Sequence, residues 1–285
     1  MTVDMRELKP LHFPRRLLEI ADPPKKLYVR GTLPPEDYKW LAVVGSRKYT
    51  NYGKEVCEKL IEGLAGYPIV IVSGLALGID ALAHRAALAS KLPCAAVPGS
   101  GLHPSVLYPS TNRRLADEII KAGGTLLSGF EPSFRATVWG FLQRNRIMAG
   151  LSDAVLVVEA EQRSGSLVTS RFATEYNRDV LTVPGSVFSP SSAGPHMLIR
   201  LGATPITSPN DLLEALGFNP KQKLACDYSD CTPEERKVIE LLQTPLSRDN
   251  LLDMLDIPIS QANALLSFME LKGLIKESAG EIHLK

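Results

Sequence analysis

Cysteine is scarce in this sequence: 285 residues hold four, Cys57, Cys94, Cys226 and Cys231. Cys226 and Cys231 are separated by four residues and have no second pair beside them. A structural zinc site wants Cys-x2-Cys and two further ligands, so neither a metal nor any cofactor is expected. The spacing shows no disulfide pattern either, and reduced thiols in a cytoplasmic protein are the expectation. The first 20 residues lack an apolar core segment, which points away from a secretory leader. An uninterrupted apolar helix is also lacking. The stretch 92–112 is free of Asp, Glu, Lys and Arg, but Pro93, Pro98, Pro104 and Pro109 interrupt it, so no membrane partner is expected.

The sequence lacks an excess of charge as well, with 32 Lys and Arg against 31 Asp and Glu for a net +1. That excludes a protein that coats polyanions by bulk charge. With 45% apolar and 22% charged residues the chain is not a disordered one. The balance conceals a split. Residues 1–220 carry 24 bases and 20 acids, whereas 221–285 carry 8 and 11, so a polyanion site belongs in the first part.

What is present is a regular alternation. Apolar runs of strand length occur at Leu41–Val44, Ile69–Val72, Cys94–Val97, Thr125–Leu127, Ala154–Val158 and Val180–Val183. They are continuous rather than alternating, as parallel strands covered on both faces are. Helical segments lie between them: Asn51 as a cap with a helix through Leu64, then Gly78–Ser90, Thr111–Lys121, Thr137–Leu151 and Leu167–Asn177. Strand–helix alternation with short turns predicts βαβ units in a doubly wound, mostly parallel α/β sheet. The expected organisation is a lead segment at 1–40, the α/β domain at 41–217, a polar linker at 218–231 and a small domain at 232–285. In the last, Thr232-Pro233-Glu234-Glu235 is a helix start with a capping box. Three helices and a hairpin in so short a span predict a winged helix.

Open parallel sheets bind ligands at the carboxyl ends of their strands. Gly45-Ser46-Arg47, Ser73 and Gly74 through Asp80, Pro98–Gly101, and Glu159 through Ser164-Gly165-Ser166 all follow predicted strands. Such turns line one edge with backbone N–H and hydroxyl donors, which suits phosphate. Glycines that merely make tight turns are the simpler explanation of any one of them. Nucleotide fingerprints fail here: there is no Gly-x-x-x-x-Gly-Lys-[Ser/Thr], and Arg47 occupies the space that a Gly-x-Gly-x-x-Gly turn leaves for pyrophosphate. Between Glu131 and Asp153 there is no acid, while Arg135, Arg144 and Arg146 occur with Trp139 and Phe141. Arginine forks grip phosphate and aromatic faces stack on bases, a combination that fits single-stranded nucleic acid. A helix with a core aromatic face and a solvated basic face is the alternative. Asp80 and His84, at i and i+4, read as a hydrogen-bonded structural pair, and Glu159 as a loop anchor.

Read together and in order, Val44-Gly45-Ser46-Arg47, Val72-Ser73-Gly74-Leu75-Ala76-x-Gly78-Ile79-Asp80, Tyr108-Pro109, Arg144-Asn145-Arg146-Ile147, Ser164-Gly165-Ser166-Leu167-x-Thr169, Val183-Pro184-Gly185 and Leu198-Ile199-Arg200-x-Gly202-Ala203 resemble the DNA-processing protein A (DprA, or Smf) family over about residues 25–217. The resemblance implies an extended Rossmann-like domain that binds single-stranded DNA without sequence preference. It also implies a homodimer without catalytic activity, which protects incoming strands in natural transformation and loads the recombinase RecA onto them. By the same resemblance Arg47, Ser73, Gly74, Arg144, Asn145 and Arg146 would contact the phosphate backbone and Phe141 would stack on a base. Gly45, Ser46, Ser164, Gly165 and Ser166 complete the expected DNA-binding set. Departures from the family pattern are Leu142 for its proline, Ser128-Gly129 for Ser-Glu, and Gly194-Pro195-His196 for Gly-Thr-Asn. Many members carry an N-terminal helical domain, for which the expected 40-residue lead is too short. The alternative function is a Rossmann-like nucleotide phosphoribohydrolase related to lysine-decarboxylase-like proteins, of whose Pro-Gly-Gly-x-Gly-Thr motif Pro98–Gly101 and Pro184–Ser186 are poor versions. The predicted third helix of the small domain has only Lys272 as a base, so that domain is expected to serve partner or self-association rather than duplex binding.

Overall fold

In the computed structural model, residues 5–220, 231–242, 246–255, 257–272, 274–278 and 280–284 are described. They belong to two units, one running to residue 224 and the other from 225 onward. The first opens with β1 (Met5–Leu8), α1 (Arg15–Leu18) and β2 (Leu27–Gly31). The six apolar runs follow as β3 (Lys39–Val44), β4 (Ile69–Ser73), β5 (Cys94–Ala96), β6 (Thr125–Ser128), β7 (Ala154–Val157) and β8 (Asp179–Thr182). Their helices are α2 (Asn51–Glu62), α3 (Ile79–Ala89), α4 (Arg113–Lys121), α5 (Val138–Leu151) and α6 (Ser166–Glu175). The two-residue β9 (Thr204–Pro205) lies between α7 (Ala193–Arg200) and α8 (Pro209–Ala215).

The nine strands order as β1-β2-β6-β5-β4-β3-β7-β8-β9. From β6 across to β9 every pairing is parallel. Only β1 on β2 and β2 on β6 are antiparallel. The chain steps outward from β3 to β6, then returns through α5 to place β7 on the other side of β3. The direction of winding therefore reverses between β3 and β7, and loops diverge there to leave a crevice.

Both faces of the sheet are covered, which is why its strands read as unbroken apolar runs. Leu41 and Val43 join a core with Cys57, Leu60 and Ile61 of α2, Ala83 of α3 and Ile119 of α4. Trp40, Ala42 and Val44 turn to the opposite core with Leu17 of α1, Met148 of α5 and Leu198 of α7. Each fully buried Leu, Ile, Val or Met among them contributes about 1.5–3 kcal/mol. Two expectations need correction. The span 1–40 is not merely a lead, because β1 and β2 extend the sheet and Phe13, Leu17 and Ile20 are core residues. The cap of α2 is Thr50, whose hydroxyl accepts from Gly53 N at 3.1 Å, and Asn51 is the first helical residue.

The second unit contains α9 (Pro233–Leu241), β10 (Leu246–Ser247), α10 (Arg248–Met254), α11 (Ile259–Leu271), β11 (Ile275–Ser278) and β12 (Glu281–Leu284). Its sheet orders β10-β12-β11, adding a strand to the two of the expected hairpin. The capping box of α9 forms as the sequence indicates, with Thr232 and Glu235 bonded reciprocally. Val238, Leu251, Leu266, Met269 and Ile282 close a separate small core. Of the expected linker 218–231, residues 221–230, which include Cys226, lie outside the described residues. Among the described residues no helix is long and apolar enough to cross a membrane.

Candidate nucleic-acid interface

The crevice at the β3–β7 switch point has a volume of about 470 Å³. Three of its walls are the turn after β3, the stretch of α5 from Phe141 to Met148, and the loop that leads from β7 into α6; Ala76 and Asp80, from the loop after β4 and the start of α3, complete it. In the first, Ser46 Oγ accepts from Lys48 N at 3.0 Å and donates to Lys48 O at 2.7 Å, which curls the backbone and turns Arg47 outward. Ile79 N donates to Ser46 O at 3.1 Å, so the turn also rests on the start of α3. Gly78 has φ +84°, and a Cβ there would strike Ser46 O at 2.2 Å. Only glycine allows this approach. Arg47 and Lys48 are exposed, and neither forms an ion pair among the described residues.

Phe141 forms the second wall. Thr137 caps α5 through a 3.0 Å bond from Gly140 N. The Cδ1–Cε1 side of the Phe141 ring meets the backbone at Gly99, where a Cβ would come within 2.4 Å of Cδ1. Tyr108 packs against it with ring centroids 5.6 Å apart. Arg47 lies over the ring, with its guanidinium carbon 5.4 Å from the centroid. In the third wall, Ser166 Oγ donates to Gly45 O at 2.8 Å and Ser164 Oγ accepts from Ser166 N at 3.2 Å. This fastens the start of α6 to the end of β3 and aims the positive end of the helix at the crevice.

Several expected contact residues are placed beneath this surface rather than on it. Ser73 is fully buried and donates to Val43 O at 2.7 Å. Arg144 is 5% exposed; it donates to Gly74 O, to Val97 O at 3.0 Å and to Asn145 Oδ1 at 2.9 Å. Its Nη1 stands 3.9 Å from Asp80 Oδ2. Asn145 in turn donates to Gly165 O at 3.3 Å. Arg144 and Asn145 thus knit the ends of β4 and β5 to α5 and α6, and Gly74 is a backbone acceptor in that lattice. Arg146 is not brought to the crevice. It bonds Asp22 and donates Nε to Tyr176 Oη at 3.1 Å, while its guanidinium lies over Phe172.

Titratable groups near the floor are held by burial. It pushes the Asp80 carboxyl upward, against the opposing pull of the Arg144 charge. The expected Asp80–His84 hydrogen bond does not form: Asp80 faces Arg144 and accepts from Ala76 N at 3.4 Å. Neither ring nitrogen of His84 has a well-formed hydrogen bond, and burial holds the imidazole down at about 4. Glu159 does anchor loops, accepting from Thr50 N at 2.9 Å, Thr50 Oγ1 at 2.6 Å and Ser191 Oγ at 3.1 Å. In the departing Gly194-Pro195-His196 segment, Gly194 N donates to Ala160 O at 2.8 Å and His196 Nε2 lies 3.1 Å from Gly185 O. The thiols of Cys57 and Cys94 are pushed up to about 12 by burial. Among the described residues no group of three or more His, Cys, Asp or Glu is placed to hold a metal.

Sequence reasoning missed Lys48 and Arg163, both exposed at the rim, and Tyr108 as the support of Phe141. Lys48 adjoins a residue already singled out, and Arg163 precedes Ser164. Their positions after predicted strands were the available signal.

Comparison with known proteins gives a family and two sets of relatives. The model of a family described as DNA recombination-mediator protein A matches residues 7–217. Protein Smf of Escherichia coli is 44% identical over 206 residues, which is 72% of this chain and 54% of that one. DNA processing protein DprA of Streptococcus pneumoniae is also 44% identical over 206 residues, 72% of each chain. The chain thus spans about half the length of the E. coli relative. Among solved structures, DNA processing protein A of S. pneumoniae superposes with a TM-score of 0.68 at 41% identity, over 74% of each chain. The Helicobacter pylori protein, solved to show its single-stranded DNA binding mode, gives 0.66 at 31% identity, over 75% of this chain and 96% of that one.

Proposed function

The chain belongs to the DNA recombination-mediator protein A family, and we propose that its crevice binds single-stranded DNA without sequence preference. The observation that carries this is Arg47. It is an exposed cation without an ion-pair partner among the described residues, poised over an aromatic ring and beside the start of α6. A phosphate needs the first and the last of these, and a base needs the ring. Nothing in such an arrangement reads the hydrogen-bonding edge of a particular base. Arg47, Lys48, Arg163, Phe141 and the Ser164–Ser166 turn are the proposed contact surface. Ser73, Gly74, Arg144 and Asn145 are proposed to hold it in shape.

Protection of incoming strands, loading of RecA and action as a homodimer are the proposed uses of that binding. They rest on the family and on the H. pylori relative's single-stranded DNA binding. The α/β unit is proposed as the DNA-binding domain and the second unit as a winged helix for partner or self-association. Lys272, which follows α11, is held by Glu235 at 2.7 Å, leaving that helix poor in free positive charge.

Binding rather than catalysis is proposed because the two buried carboxylates near the crevice are committed, Asp80 to Arg144 and Glu159 to Thr50 and Ser191. Incubation with nucleoside monophosphates tests the phosphoribohydrolase alternative, and release of free base would support it. A gel-shift titration of single- and double-stranded oligonucleotides across salt tests the main proposal. Tight single-strand binding is expected, with log K falling linearly against log salt as counterions are released. Equal affinity for duplex and single strand, or no dependence on salt, would refute it.

A further inference from the structure

The sheet edge that carries the crevice continues to the loop after β8, and there an aromatic residue stands free. Val187 and Phe188 are 77% and 93% exposed at the loop tip. The loop beneath them is braced. Tyr52 Oη donates to Pro184 O at 2.6 Å, His196 Nε2 lies 3.1 Å from Gly185 O, and Ser189 N donates to Ser186 O at 3.1 Å. Its far end is fastened to the loop that forms the crevice wall, with Ala160 N donating to Ser191 O at 2.8 Å. The Phe188 ring is therefore presented from a fixed base, one strand beyond the crevice.

The surroundings favour one kind of ligand. Tyr49 and Tyr52, at the start of α2, are 43% and 47% exposed. Lys48 adjoins them and also lines the crevice. Neither 38–54 nor 180–210 contains a single Asp or Glu. Ser186 and Ser189 bracket Val187 and Phe188 in the sequence, so the exposed tip stands between polar residues. Flat faces beside polar groups, on carboxylate-free segments supplied with cations, complement a chain of bases joined by phosphates.

We infer that Phe188 is a second stacking platform for single-stranded nucleic acid. Tyr52 braces the base of its loop, and Lys48 meets the phosphates that bridge it to the crevice. A strand seated at Arg47 and Phe141 then continues across the end of β7 to the tip after β8. The inference rests on the crevice being a single-stranded DNA site.

The test uses the full chain and fluorescence anisotropy with oligothymidylates of about 6 and about 20 nucleotides, bracketing one binding site and more. Phe188→Ala is expected to weaken the longer strand roughly 5- to 20-fold while leaving the shorter one unchanged. Phe188→Trp is expected to restore the longer strand, and Arg47→Ala to weaken both. A strand carrying 5-iodouracil should also crosslink to the peptide that contains Phe188. Wild-type affinity of Phe188→Ala for the longer strand overturns the inference, and the crevice site survives if Arg47→Ala still weakens both strands. If neither variant loses affinity, the crevice site falls with it. A Phe188→Ala protein that sediments at a lower mass with unchanged DNA affinity would make the tip a contact between copies, which also overturns it.

Discussion

Arg47 on the turn after β3 and Phe141 on α5 meet face to tip, the guanidinium carbon 5.4 Å from the ring centroid. They are 94 residues apart in sequence and come from opposite sides of the switch point. The contact holds a charge and a ring together, the two chemistries that a nucleotide offers in reverse.

Arg47→Ala should therefore weaken single-stranded DNA of every sequence alike and lower the salt slope by about one. Phe141→Ala should cost about 1–3 kcal/mol of binding with the salt slope unchanged. Anisotropy titrations at several salt concentrations check both. A sequence-dependent loss in the Arg47 variant would argue for base readout instead.

Arg144 behaves otherwise, although it adjoins the same ring. Its removal leaves the Asp80 carboxyl buried without its partner, an arrangement that costs about 3–5 kcal/mol. Arg144→Ala is expected to lower the thermal midpoint sharply, whereas Arg47→Ala should leave it near the wild-type value. An Arg144→Ala protein of normal stability that fails to bind would show the residue acting on the ligand directly.

Arg146→Ala should leave binding intact. The residue is spent on Asp22, Tyr176 and Phe172, away from the crevice. With Asp22 73% exposed, loss of that pair is worth about 1 kcal/mol or less. A loss of affinity as large as that of Arg47→Ala would contradict the placement.

Acid should destabilise the first unit partly through His84. Burial holds its folded value at about 4, against about 6.5 in the unfolded chain. Above 6.5 both states are neutral and the residue adds no pH dependence. Between 6.5 and about 4 the unfolded chain takes up a proton that the folded one refuses. Stability then falls with falling pH, by up to about 3 kcal/mol. Asp80, raised by burial, works in the opposite sense, and comparison with His84→Gln cancels it. Thermal midpoints from pH 7 to pH 4 should drop more steeply in the wild type; parallel curves would exclude His84 as the source.

Duplex DNA in excess should fail to displace a bound single strand, because the second unit offers α11 little free positive charge. A competition titration decides this. Displacement by duplex that vanishes with a chain ending at residue 220 would show the second unit gripping it.

The parallel core was legible because strands buried on both faces leave runs of largely apolar residues without polar alternation, and six such runs are there. The strands β1 and β2 were not. Met5–Leu8 has one buried residue in four, and Leu27–Gly31 is a short run behind Pro23-Pro24. Antiparallel pairing of β2 to β6, a long-range event, and of β1 to β2 supplies what their composition does not. The crevice was legible as a set of turns after strands. The division of labour within it was not, since Arg144 and Arg146 are two residues apart on a helix and so about 200° apart around it. One points into the floor and the other toward Tyr176, a distinction that only helix phase against the sheet decides. Ser73 likewise looked like a donor to ligand and is instead a pin between β4 and β3.

β3 is paired along both edges, to β4 and to β7, and the crevice opens at its end. Two of its walls are turns leaving the middle of the sheet, tied down by the bonds from Ile79 N to Ser46 O and from Ser166 Oγ to Gly45 O. A strand bound there, as proposed, would do most of the bending, since these turns are tied to the sheet by hydrogen bonds. Under the proposed function a pliant single strand would follow that edge at an entropic cost of its own, while a stiff duplex would have to be bent to do so.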